Sequence, residues 1–141
     1  EENAELNKQI EEGRRERIRS IVESIEPTLT EEDGIVLIAR QADFLPDIVK
    51  GIAFGLKPKF PNLVFVIGSA VGGKPALTVM LGDEIVSRGV DASKVVREAA
   101  KEISGGGGGQ PFYATAGGKD AAGIEKAIFR AVELIKTQLK R

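Results

Sequence analysis

Five consecutive glycines, Gly105 to Gly109, lead into Gln110, Pro111, Phe112 and Tyr113 and then a Gly117-Gly118-Lys119-Asp120 step. These residue types suit one kind of chemistry: bare backbone N–H groups and a lysine hold an anion, phosphate above all, and an aromatic ring stacks on a planar ligand. Ordering five glycines removes more backbone entropy than ordering any other pentapeptide, so an ordered run needs conformations or contacts closed to side chains. A flexible linker is the alternative. Against it, the run carries no serine or charge and passes at once into apolar Phe112, Tyr113, Ala114 and Ala116. A backbone surface presented to a ligand, or a tightly packed turn, is favoured over a linker.

Three further features bear on anion binding. Gly68 through Lys74 has the spacing of a phosphate-binding P-loop, directly after an apolar run. Position 75 is proline, however, where that motif needs a hydroxyl for magnesium, and proline also lacks the N–H that would help hold phosphate. A hairpin turn is the preferred reading of 68–75. Lys57 and Lys59 flank Pro58 beside Phe60, as a phosphate contact or a solvated loop. Lys119 precedes a last helix whose free N–H groups and dipole favour an anion; plain solvent exposure is the alternative.

Much catalytic chemistry is excluded. With neither cysteine nor histidine, the chain has no disulfide, no thiol nucleophile, no Ser-His-Asp triad and no zinc site of the usual type. A carboxylate-only active site stays open.

The elements that must position these residues follow from periodicity. From Glu5 to about Glu26, Leu6, Ile10, Ile18, Ile21, Val22 and Ile25 form a narrow stripe on a charged amphipathic helix, which Pro27 ends. Arg14, Arg15, Arg17 and Arg19 on it form a basic patch or, preferably, a salt-bridged solvated face. The stripe at Leu6, Ile10, Ile18, Ile21 and Ile25 is a candidate for pairing between two chains. After the acidic turn Glu31 to Gly34, Ile35 to Ala39 reads as a strand buried on both faces. Leu45, Ile48, Val49, Ile52 and Leu56 predict a second helix, with Gly51 and Gly55 placed for close packing against a sheet.

Leu63 to Ile67 and Ala76 to Leu81 read as two strands joined by 68–75. Asp91 caps a third helix with Ala92, Val95, Val96, Ala99, Ala100 and Ile103 inward. Beyond the glycine loop 105–109, 111–116 predicts a short strand. Asp120 caps a last helix with Ile124, Ile128, Ala131, Val132, Ile135 and Leu139 inward.

The 141 residues suit one core. The expected fold is α/β: an N-terminal helical segment over 1–29, then, over 30–141, a mixed sheet of about four to five strands flanked by helices. The first two strands flank a helix and should be parallel, and the hairpin adds an antiparallel strand. No apolar run approaches the roughly 20 residues that span a bilayer and no signal peptide opens the chain, so a cytoplasmic location without membrane contact is expected. Glu1 in place of methionine suggests a piece of something longer.

The glycine run together with Ala114, Ala116, Gly117, Gly118, Lys119 and Asp120 resembles the C-terminal, DHH-associated (C-Ala) domain of bacterial alanyl-tRNA synthetase. The likeness extends more weakly over 63–139, and the helix before Pro27 is similar in place to that domain's helical part. The resemblance implies a domain that lies after the aminoacylation and editing domains, binds the outer corner of tRNA and serves both sites, with a helical part implicated in self-association. ATP, magnesium and zinc are then expected only in upstream domains, and no cofactor here. The same domain type closes DHH phosphoesterases and RecJ-type exonucleases, where a histidine follows the glycines. Gln110 and Pro111 stand there instead, which favours the synthetase branch and removes a catalytic role. Many synthetase sequences have arginine before that proline, so Gln110 also removes an expected cation.

Three functions follow. The first is non-catalytic binding of alanine tRNA, with phosphates met by Gly107, Gly108, Gly109 and Gln110 and by Lys57, Lys59, Lys74 and Lys119, and with Phe112 or Tyr113 stacking on an unpaired base. The net charge of −1 then requires segregated charge, because phosphate neutralisation dominates such affinity. The second is a structural and dimerisation module of the synthetase. The third is a nucleotide enzyme using 68–74 or carboxylates; a DHH-type nucleic-acid-binding domain is a further alternative.

Overall fold

A computed structural model describes residues 2–29, 31–32, 34–44 and 46–139, with backbone alone for 2–11, 32 and 46. The long amphipathic stripe forms helix α1, Glu2–Ile25, and Pro27 falls in the 3-10 turn Glu26–Thr28 that ends it. Strands β1 (Glu31–Glu32) and β2 (Ile35–Gln41) lead to helix α2, Pro46–Leu56. A 3-10 turn at Lys57–Lys59 precedes β3 (Leu63–Val71) and β4 (Lys74–Leu81). Helices α3 (Asp83–Ser87) and α4 (Ala92–Ala99) follow, then β5 (Gly106–Gly109), β6 (Tyr113–Gly117) and α5 (Ile124–Leu139).

The strands make one mixed sheet in the order β1-β2-β3-β4-β6-β5. β2 and β3 are parallel, as the intervening helix requires, and the other neighbours are antiparallel. Central strands are buried on both faces, which explains their unbroken apolar runs. Along β3, Val64 and Val66 face α4 and α5, while Leu63, Phe65 and Ile67 face the side of α1 and α2. The last turns of α1 share this second core: Val22 and Ile25 are buried with Ile48, Val49 and Ile52 of α2.

Both predicted caps are present. The Asp91 side chain accepts from the Ser93 N–H (2.9 Å) at the start of α4, and Asp120 accepts from the Ala122 N–H (3.1 Å) in the 3-10 turn Ala121–Gly123 before α5. Such a cap is worth about 1 kcal/mol. All six inward positions expected from Ala92 to Ile103 are buried, although the last four of those twelve residues tighten into a 3-10 turn.

Several expectations change. The connector Gly68 to Pro75 is mostly strand, with only Gly72 and Gly73 in the turn; their φ of +64° and +76° suit a two-residue hairpin whose twist matches the strands. Gly51 and Gly55 pack against Ile18 and Val22 of α1 rather than against the sheet. Helix α3 falls in a step with no expected element. The glycine run, expected as a loop, supplies an edge strand. Of the acidic turn, Glu31 and Glu32 pair with Val36 and Ile35, Asp33 lies outside the described residues, and so does Leu45 at the start of the second stripe.

Candidate functional site

The P-loop reading does not survive. Gly68, where that loop would begin, is buried in β3 opposite Leu77, and a side chain there would run into Ile124 and Ile128 of α5. Lys74 pairs with Val71 at the exposed hairpin tip. No helix follows to present N–H groups, so a nucleotide has no cradle here.

Near Lys119, the backbone donors are occupied. The Gly118 N–H donates to the Pro75 carbonyl (3.1 Å), and the N–H groups of Lys119 and Asp120 both donate to the Ile103 carbonyl (2.9 and 3.0 Å). What remains for an anion is the exposed Lys119 side chain.

The other candidates lie at the far end of the sheet. Gly118 bonds beside Lys74, whereas Tyr113 pairs with Met80 and the Phe112 carbonyl accepts from the Leu81 N–H. Lys74 and Leu81 bound one strand, which separates the two groups by roughly 20 Å. Lys74 and Lys119 therefore do not converge with Lys57, Phe112 and Tyr113, and the glycine strand runs between the two groups: Gly106 pairs with Gly117 and Gly109 with Ala114.

At the Gly109 end, Gln110 and Tyr113 exchange both backbone bonds (2.9 and 3.2 Å) and close a turn on Pro111 and Phe112. This projects an aromatic cluster. Phe54 of α2 meets the Phe112 ring edge-on at 6.5 Å between centroids and Tyr113 at 5.1 Å. Lys57 Nζ stands 5.0 Å from the Phe112 ring centre, and Lys50 Nζ 6.0 Å from that of Phe54, within reach of cation–π attraction. Phe54 is 41% exposed. Burial among these rings, and secondarily the Asp47 charge, holds the Tyr113 phenol above its ordinary range. Rings with adjoining ammonium groups can take a flat, electron-rich ligand such as a nucleobase.

Phe54 and Lys50 were missed. The available signal was a phenylalanine off the apolar stripe of its helix.

Two predicted cations are partly committed. Lys57 pairs with Asp83 (3.2 Å) and Lys59 with Glu26 (2.8 Å). Of the α1 stripe, Ile25 is buried and Ile18 and Ile21 are half-buried, all packed within the chain; the side chains of Leu6 and Ile10 lie outside the described residues. Among the described residues no cluster of acidic side chains is placed to hold a metal, and no helix is long and apolar enough to cross a membrane.

The family model described as the DHHA1 domain matches residues 33–140. An alanine-tRNA ligase from Bacteroides thetaiotaomicron is 47% identical over 135 residues, covering 95% of this chain and 16% of that protein. One from Cytophaga hutchinsonii is 42% identical over 139 residues, covering 96% of this chain and 16% of that protein. The chain thus spans about a sixth of the length of these curated relatives. Among solved structures, it is similar to the C-Ala domain of Aquifex aeolicus alanyl-tRNA synthetase: TM-score 0.62, 28% identity, 80% of this chain and 98% of that one.

Proposed function

Because the chain belongs to the DHHA1 domain family, whose matching relatives here are alanine-tRNA ligases, we propose that it is the non-catalytic, tRNA-binding C-terminal domain of an alanyl-tRNA synthetase. In this reading it meets the outer corner of alanine tRNA and helps the aminoacylation and editing domains of the same cytoplasmic protein use one tRNA. ATP, magnesium and zinc chemistry then belongs to the upstream domains.

The observation that carries the reading is the Phe54, Phe112 and Tyr113 cluster with Lys50 and Lys57 at its rim. Stacking on aromatic side chains beside local positive charge is how proteins take unpaired or terminal bases, and Lys50 and Lys57 supply that charge locally whatever the sign of the whole chain. That reconciles tRNA binding with a net charge of −1. Filter binding of an alanine tRNA transcript to this chain tests it. Phe112→Ala and Phe54→Ala should each weaken binding by about 1–3 kcal/mol, the worth of one stacked base. Unchanged affinity in both variants, or no binding by the unsubstituted chain, sinks the proposal.

A further inference from the structure

We propose that the outer face of α4 is a phosphate-binding flank of the glycine strand, centred on Arg97, and that its ligand is the sugar-phosphate backbone of the RNA whose bases the aromatic cluster meets. The inference rests on the tRNA-binding reading and deepens it. The Arg97 guanidinium sits over the strand at Gly108: its Nη2 and Nε are 3.6 and 3.7 Å from the point where a Gly108 side chain would begin. These are ordinary contact distances, so the guanidinium sits directly over backbone that presents no side chain to it.

Arg97 is exposed and makes no ion pair among the described residues, so its five donors are open to a phosphate. Lys94, three residues earlier on the same helical face, is exposed and equally unpaired. Lys101 extends the row and is held only by Glu98 (3.3 Å) in an exposed pair, which competes weakly with a polyanion.

The strand contributes donors of its own. Since Gln110 and Tyr113 form a doubly bonded pair, antiparallel alternation turns the N–H and C=O groups of Gly107 and Gly109 away from β6, towards the open edge. The flank is fixed relative to the aromatic cluster as well. The Ala92 N–H that opens α4 donates to the Pro111 carbonyl (2.9 Å), one residue from Phe112. Phe112 and Tyr113 pack on the α2 face of the sheet, and α4 packs on the other. One RNA strand passing over the side-chain-free edge would thus set a base on one face and phosphates on the other.

The test is filter binding of an alanine tRNA transcript over a series of salt concentrations. The doubly substituted Lys94→Ala/Arg97→Ala chain should bind about tenfold more weakly, and its plot of log affinity against log salt should flatten by about two phosphates' worth. Arg97→Lys should restore one of those two, and Glu98→Gln should tighten binding. Phe54→Ala should weaken binding without changing the slope. All four positions are exposed, and an unchanged melting temperature checks the fold. If the unsubstituted chain binds with salt dependence while the double variant keeps its affinity and slope, the flank is wrong and the tRNA reading stands. If the unsubstituted chain does not bind, both fall.

Discussion

Ile18 of α1 rests over the bare backbone of Gly51 on α2, so that a side chain at 51 would collide with its Cδ1. The relationship repeats in register: Arg14 pairs with Asp47 (3.7 Å), Val22 covers Gly55, and Glu26 pairs with Lys59 (2.8 Å). Each partner lies 33 positions on, so the two helices run parallel, knob against glycine, with an ion pair at either end. Gly51→Val should lower stability by about 1–3 kcal/mol through overpacking. Most of that loss should disappear in an Ile18→Ala background, where the knob is gone; additive losses in urea melts would show that the contact is not the cause.

Within the glycine run the structure separates two classes. Side chains at Gly105, Gly107 or Gly109 would strike the backbone of β6 or the residue after it, whereas at Gly106 nothing lies within 4 Å. Gly107→Ala should therefore destabilise by roughly 1–3 kcal/mol, and Gly106→Ala should stay within about 0.5 kcal/mol of the unsubstituted chain. Equal losses at both positions in denaturant titrations would refute the distinction.

This division marks where sequence reasoning stopped. The caps and stripes of α4 and α5 were legible because Asp91, Asp120 and the inward residues act through local spacing. The glycine strand was not, because its pairing is imposed by β6 and glycine carries no alternation to read. Gly68 looked like the start of a loop, but its smallness makes room for Ile124 and Ile128 from 56 and 60 residues away. The site failed to read for a similar reason: Phe54 meets Phe112 and Tyr113 only once α2 lies across the start of β6, and Arg97 finds Gly108 only through the fold.

Asp43 ties the segment after β2 to the hairpin. Its Oδ1 accepts from the Ala70 N–H (3.0 Å) and from the Gln41 side-chain amide (3.1 Å), and these bonds, the first chiefly, hold its carboxyl below the ordinary 3.8. A depressed folded-state value means that the contribution is complete above the ordinary value and is lost as pH falls through the lowered one. Amide exchange at Ala70, corrected for intrinsic rate, should thus accelerate on acidification below that range. Asp43→Asn should abolish this pH dependence, and persistence of the acceleration in Asp43→Asn would assign it to another group.

Tyr113 is the sole tyrosine and the chain has no tryptophan, so phenolate absorbance reports the aromatic cluster alone. Burial first, and the Asp47 charge second, raise the Tyr113 phenol above 10.0. Both act against the phenolate, so its ionisation opposes folding, and the cluster should loosen as pH rises through the folded-state value. Phe54→Ala opens one wall of the site and should bring the midpoint down towards 10.0; Asp47→Asn should bring it down by less, because removing the smaller cause leaves the desolvation in place. A larger drop in Asp47→Asn than in Phe54→Ala would reverse that order and mean that charge, not packing, governs the cluster.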